Sequence, residues 1–220
     1  GTATGYHALT WGWIAGGLIE KISGKHVKDF VAEEIAKPLG LEHEMFVGLP
    51  DSVEDRLAEL DASDMLAALS ALPPTSELFK ALSPERLRHV NEKLYLKAPI
   101  PSSNGFFTAR ALAKTYGALA LDGSIEGARL VSKERIKHMQ RVMTGDVDRV
   151  LGVPVPKGIG FFMGMQVGRF HWELGPRQTA FGHSGLGGSV AFADPEAKLS
   201  VAVTLNKMRN EVPGTGRALE

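Results

Sequence analysis

Residues 181–195 gather several groups able to do chemistry, in the order Phe181-Gly182-His183-Ser184-Gly185-Leu186-Gly187-Gly188-Ser189 followed by Val190-Ala191-Phe192-Ala193-Asp194-Pro195. An imidazole can carry a proton near neutral pH, a hydroxyl can donate or accept a hydrogen bond, and neighbouring glycines leave backbone that a ligand can approach closely. Near the other end, Tyr6-His7-Ala8 opens a helix-like run, and a phenol is a further group able to move a proton. Together these residues have the makings of one wall of an active site.

Two readings of Gly182-His183-Ser184-Gly185 are open on the residues alone, and a third comes from resemblance. A Gly-x-Ser-x-Gly nucleophile elbow would expose Ser184 between a strand and a helix. Three features oppose that reading: Leu186 stands where the last glycine belongs, the residues that follow are strand-like, and no His follows Ser184. The second reading is an ordinary glycine-rich hairpin.

The third reading is a family resemblance. His183-Ser184-Gly185 resembles the last motif of the serine β-lactamase and penicillin-binding-protein superfamily, in its His variant. The resemblance implies that His183 and Ser184 orient the substrate and that Gly185 and Gly187 leave room for the acyl group. It also implies that the Leu186 N–H faces the oxyanion. Gly5-Tyr6-His7-Ala8-Leu9-Thr10-Trp11-Gly12-Trp13 resembles the second motif of the class C β-lactamase and esterase branch, in which a Tyr-x-Asn starts a helix; Tyr6 and Gly12 match and Ala8 replaces the Asn. Tyr6 is then implied as general base or proton relay. Loss of the amide that helps hold a β-lactam favours ester substrates. Ile35-Ala36-Lys37-Pro38-Leu39-Gly40-Leu41, Gly105-Phe106-Phe107-Thr108-Ala109-Arg110 and the stretch from Gly182 to Asn206 are also similar to this branch, so the likeness runs in order along nearly the whole chain.

One motif departs. The family's Ser-x-x-Lys puts a nucleophilic Ser and a Lys on the same side of a helix, one turn apart. No Ser of this chain has Lys three residues later: Ser23 is followed at that spacing by His26, Ser83 by Arg86, Ser132 by Arg135 and Ser184 by Gly187. Arg stays protonated and cannot act as a base. The expectation is that both groups come from a segment preceding Gly1, and that this chain alone is inactive or nearly so. Without that Lys, the phenol has less positive charge to lower its pKa from about 10.

The elements that must position these groups fall into two textures. Leu9 to Ser23 has Trp11, Ile14, Leu18 and Ile22 at helical spacing, with Gly24 as a left-handed stop. Val27 to Ala36 is a second helix, ended by Pro38. Ser52 to Leu72 reads as a third, with Ser52 as cap and Pro73-Pro74 as terminator. Residues 78–101 are mixed helix and loop, Ser102-Ser103-Asn104-Gly105 is turn chemistry, and Thr108 and Ser132 cap helices to about Leu121 and Met143. After Gly145 come four strands in a meander, Ile159 to Val167, Gln178 to His183, Ser189 to Ala193 and Leu199 to Leu205.

The expected fold class is therefore α+β, a β-lactamase/transpeptidase-like arrangement of helices packed on an antiparallel sheet, incomplete at both ends. Residues 1–220 are expected to be the C-terminal part of one such domain, with 1–145 mainly helical and 146–220 forming the sheet part. The 220 residues hold 25 Lys and Arg against 25 Asp and Glu, which gives no electrostatic reason for nucleic acid or a membrane surface as partner. Zero cysteines exclude a disulfide framework or a thiolate site and lean to a reducing, cytoplasmic setting, though the compartment stays open. No apolar run is long enough to span a membrane.

The 7 histidines show no zinc spacing, and His171-Trp172-Glu173 and Glu42-His43-Glu44 read first as turn or surface residues. Phe162 and Trp172 are candidates to line the acyl site. The expected function is part of an esterase-like serine hydrolase acting through an acyl-serine on small esters or related acyl compounds. The alternative is a catalytically inactive module of the same fold, kept for binding or assembly. No metal or organic cofactor is called for. The expected partners are a small acyl substrate and the missing N-terminal segment of the same protein.

Overall fold

The computed structural model describes residues 2–167, 170–171 and 174–210. Where a helix has a strong local stop signal or side-chain cap, its boundary falls at that residue. Helix α1 (Thr10–Ser23) stops at Gly24, whose φ of +71° lets its N–H turn back to the Glu20 carbonyl at 2.9 Å. Helix α2 (Val27–Val31) runs on into a π turn over Ala32–Ala36 and ends before Pro38. Short strand β1 (Met45–Val47) follows.

The helix expected from Ser52 to Leu72 is two elements: a 3₁₀ turn over Asp51–Arg56 and helix α3 (Ser63–Ser70). The tertiary structure breaks it. Asp61 donates its N–H to the Asn206 carbonyl at 2.7 Å and accepts from the Met208 N–H at 2.8 Å, so the backbone there is spent on the far end of the chain. The Asp61 carboxylate then accepts from the Ser63 N–H and hydroxyl as α3 begins.

Helices α4 (Glu77–Leu82) and α5 (Lys93–Lys97) flank a 3₁₀ turn over Pro84–Arg88. Strand β2 (Gly105–Phe107) pairs antiparallel with β1. Helix α6 (Ala109–Ala120) is capped by the Thr108 hydroxyl, which accepts from the Ala111 N–H at 3.0 Å, and strands β3 (Ser124–Ile125) and β4 (Ala128–Arg129) form a hairpin after it. Helix α7 (Lys133–Met139) starts at the Ser132 cap and ends short of Met143.

The region expected to form one strand from Ile159 holds β5 (Phe162–Met163) and β6 (Gln166–Val167), with β6 paired to β7 (Phe170–His171). Strands β8 (Phe181–Ser184), β9 (Val190–Asp194) and β10 (Leu199–Val203) complete an antiparallel sheet of order β10-β9-β8-β5. Helix α6 lies across β9 and β10, where Gly117 faces Ile125 and Ser200 and the Ser200 hydroxyl donates to the Ala113 carbonyl at 2.9 Å. Leu119, Ala120, Ile136, Met163, Phe181 and Ala193 form the core between α6, α7 and the sheet. A second core gathers Met65, Leu69, Leu82, Leu87, Val90 and Met208 around α3, with Tyr6 and Leu186 packed on its edge.

The apolar face of α1 is turned outward. Trp11, Ile14, Leu18 and Ile22 are exposed, Ile22 at 78%, while Gly12 and Gly16 form the buried face. A Cβ at Gly12 would lie 2.5 Å from the Ser102 backbone nitrogen, so small residues let α1 seat against the 101–102 turn. Among the described residues no helix is long and apolar enough to cross a membrane.

Strand β8 tolerates no side chain at Gly182, where a Cβ would sit 2.2 Å from the Ala191 carbonyl oxygen and 2.6 Å from Phe192 Cα, both in β9. Gly182→Ala is expected to destabilise the fold by about 1–3 kcal/mol, since the clash is with backbone. Chemical denaturation checks this, and an unchanged midpoint would contradict the close approach.

Candidate functional site

Tyr6 and His183, separated by 177 positions, meet. The Tyr6 hydroxyl lies 3.4 Å from His183 Nε2, a long and therefore weak hydrogen bond whose direction depends on the imidazole tautomer. The rings stack at a centroid distance of 5.9 Å, and Phe162 of β5 stacks on the imidazole more closely, at 4.3 Å and 21°. Tyr6 also touches Phe162, so the three rings form one aromatic cluster.

Each partner arrives by a different route. His183 is carried by β8, in register with Ala191 of β9, while Phe162 is opposite Gly182. Tyr6 lies in the extended segment before α1, a helix with no side-chain N-cap. Its backbone N–H donates to Asp148 Oδ1 at 3.1 Å. Asp148 is fully buried, accepts also from the Val150 and Leu151 N–H groups at 2.8 and 2.9 Å, and is paired with the Lys157 ammonium.

Ser184, Gly185, Leu186 and Gly187 follow His183 out of the strand. Gly185 donates to the Ser189 carbonyl at 2.6 Å and accepts from the Gly188 N–H at 3.2 Å, closing a turn with Leu186 and Gly187 at its centre. Gly187 has φ +98° and a Cβ there would lie 2.6 Å from Met208 Cβ, so glycine is required on both counts. Among the described residues the Leu186 N–H has no hydrogen-bond acceptor, which leaves a backbone donor available beside the Tyr6–His183 pair. Ser184 is half-buried at the end of β8.

Burial dominates the electrostatics. It pushes the Tyr6 phenol above its ordinary 10.0, with the Arg86 guanidinium pulling it down and the Asp148 carboxylate pushing it further up. Burial pushes the His183 imidazole below its ordinary 6.5, a hydrogen bond with the Ser184 backbone working the other way. Both groups are thus neutral near pH 7, a hydroxyl and an imidazole able to share a proton without carrying charge.

Two contributors carry no signal in the sequence. Arg86 donates to the Tyr95 and Ser103 hydroxyls at 3.3 and 3.1 Å, and these two oxygens are themselves 2.7 Å apart. Asp148 stands in a polar loop whose composition carries no periodic pattern, so its burial is visible only after folding. Of the other expected residues, Trp172 and Glu173 lie outside the described residues, as does the side chain of His171. Glu44 is taken up by Arg110 and by the Thr108 hydroxyl, at 2.6 Å from the latter.

Comparison with known proteins places this geometry. The family model described as Beta-lactamase matches residues 1–219. The chain belongs to the β-lactamase family. The relative Esterase/beta-lactamase LipL of Mycobacterium tuberculosis is 34% identical over 224 residues, covering 97% of this chain and 50% of that protein. A crystal structure of a family VIII carboxylesterase superposes with TM-score 0.85 at 33% identity, covering 99% of this chain and 56% of that one. A penicillin-binding-protein homologue from Caulobacter crescentus gives TM-score 0.77 at 34% identity, covering 100% of this chain and 57% of that one. The fold is thus β-lactamase/transpeptidase-like, and the relatives it matches include proteins described as an esterase/beta-lactamase and a family VIII carboxylesterase. It spans about half the length of the relatives it matches.

The shifts carry a sign that can be tested. Below about pH 6.5 the unfolded chain takes up a proton that the His183 site resists, so this group's contribution to stability is lost as pH falls. Above pH 10 the unfolded chain releases a proton that the Tyr6 phenol retains, so stability is lost as pH rises. In a histidine NMR titration His183 is expected to protonate below 6.5 and the Glu92-bonded His89 above it. The reverse order would contradict the burial of His183.

Proposed function

We propose that this chain supplies the Tyr and His-Ser-Gly walls of an acyl-serine esterase site, whose nucleophilic Ser and its Lys come from the part of the protein outside these residues. The observation that carries the reading is the 3.4 Å approach of Tyr6 to His183 across 177 positions, beside a turn whose Leu186 N–H has no acceptor among the described residues. The family membership makes acyl transfer the chemistry to consider first.

In this reading the Tyr6 phenol relays the proton leaving the attacking serine and returns it to the departing alkoxide. A phenol held above 10.0 is a poor base on its own. A second cation arriving with the nucleophile would lower it, adding to Arg86. His183 donates or accepts within the pair and Ser184 orients the acyl group, while the Leu186 N–H stabilises the oxyanion. Gly185 and Gly187 leave space beside that backbone. Small esters suit the site, because Ala8, buried at 8%, stands where an amide would engage a β-lactam.

The remaining partner is the rest of the domain. Trp11, Ile14, Leu18 and Ile22 present an apolar surface on α1 that no described residue covers. A surface of this kind marks an interface. In this reading the nucleophile-bearing segment docks there. Two concavities of about 530 and 490 Å³ are lined by neither Tyr6 nor His183. The second reading, an inactive module kept for binding, is favoured by one observation: no Ser here has Lys three residues on.

A fluorescent phosphonate that traps activated serines separates the two readings. The protein isolated intact from its source is expected to label, and Tyr6→Phe or His183→Ala to lower ester turnover by about 10²–10⁴-fold. A labelling-negative species of 220 residues would sink the catalytic reading. Leu18→Lys with Ile22→Lys is expected to leave the isolated chain folded and more soluble, yet to abolish labelling of the intact protein. Circular dichroism and the labelling gel read both halves of that prediction.

A further inference from the structure

We propose that the buried Asp148–Lys157 ion pair is a positioning device for Tyr6, holding the phenol against His183 from both sides. The inference rests on the reading of Tyr6 as the proton-handling residue, but its geometry stands independently.

Tyr6 has little local support. It precedes α1, which lacks a side-chain cap and leaves its large apolar residues exposed. The Thr4–Tyr6 stretch is instead held by the 148–157 segment through three bonds, one to the Tyr6 backbone and two to Thr4. The Tyr6 N–H donates to Asp148 Oδ1, the Thr4 carbonyl accepts from the Arg149 N–H at 3.0 Å, and the Thr4 hydroxyl accepts from Lys157 Nζ at 3.2 Å. Asp148 is held in turn. One of its oxygens closes a turn by accepting from Val150 and Leu151, and the other takes the Lys157 ammonium. A carboxylate with no exposed surface keeps its charge only if its lone pairs are met, and here a cation and three N–H groups meet them. Against the cost of burial, these groups hold its pKa below 3.8.

Lys157 also touches the other half of the pair. Its backbone forms an isolated antiparallel bridge with Phe162, the ring stacked on His183, and a second with Thr144. One ion pair therefore references the backbone under Tyr6 and the strand that bears the aromatic floor of His183. Loss of the carboxylate charge would free the segment before α1 without touching either ring.

The test uses Asp148→Asn, which keeps size and shape, and Lys157→Met, which keeps the stem without the cation. With ¹³C-labelled tyrosine and histidine in the 220-residue chain, a Tyr6–His183 ring NOE is expected in the parent and is expected to vanish in Asp148→Asn. The Tyr6 ring resonances should move while those of Tyr116, partly buried against Phe161, stay in place. In the intact hydrolase, kcat should fall by about 10²-fold with KM little changed, as for a misplacement of about 1 Å. A folded Asp148→Asn with the NOE and the Tyr6 resonances unchanged would overturn the proposal. Should Asp148→Asn fail to fold, Lys157→Met is measured by the same NOE and the same resonances, and their persistence there would overturn it equally. If Tyr6→Phe leaves turnover intact while Asp148→Asn still displaces the Tyr6 ring, the functional reading falls and the positioning role stands.

Discussion

A phenol before an uncapped helix has no reason of its own to be anywhere in particular. In this chain that freedom is removed by a carboxylate 142 positions away, which receives the Tyr6 N–H and is itself locked by Lys157. Once Tyr6 is held, α1 must start where it does, and its glycine face meets the 101–102 turn. Tyr6 then packs on the same core that supports Leu186 and Met208. The turn after β8 depends on that core too, because Gly187 sits directly over Met208. The imidazole, the phenol and the backbone donor are therefore set by shared packing rather than by three separate supports.

The site keeps charge out. Phenol and imidazole are both buried enough that their neutral forms are favoured, and the residues around them work in opposite directions, Arg86 against Asp148 for Tyr6. Such a pair can pass a proton but does not by itself generate a strong base. A cation brought next to it would change that balance at once, since a charge in a poorly hydrated site acts with little screening.

The outward face of α1 belongs to the same logic. Trp11, Ile14, Leu18 and Ile22 obey helical periodicity, yet they point away from every described core. Burial on the opposite side is achieved by Gly12 and Gly16, which contribute close approach instead of apolar bulk. The helix is thus seated by glycine contacts on one face and exposes apolar side chains on the other.

Local signals in the sequence determined much of the architecture. Gly24, Thr108, Ser132 and the segments rich in β-branched and aromatic residues from Phe181 to Val203 act through bonds and sterics within a few residues, so their helix ends and strands were legible without coordinates. The His183-Ser184-Gly185 and Tyr6 motifs were legible because each is contiguous. What the sequence could not state was where long-range partners would pull the chain. Asp61 spends its backbone on Asn206 and Met208 and so breaks a helix that periodicity favoured. Periodicity likewise reported that α1 has an apolar side but not whether anything covers it. Asp148 and Arg86 acquired their places from burial and from charges brought near by folding, quantities that exist only once segments far apart in the chain have met. The residue types able to do chemistry were written in the chain; their distances, protonation states and support were decided by tertiary packing.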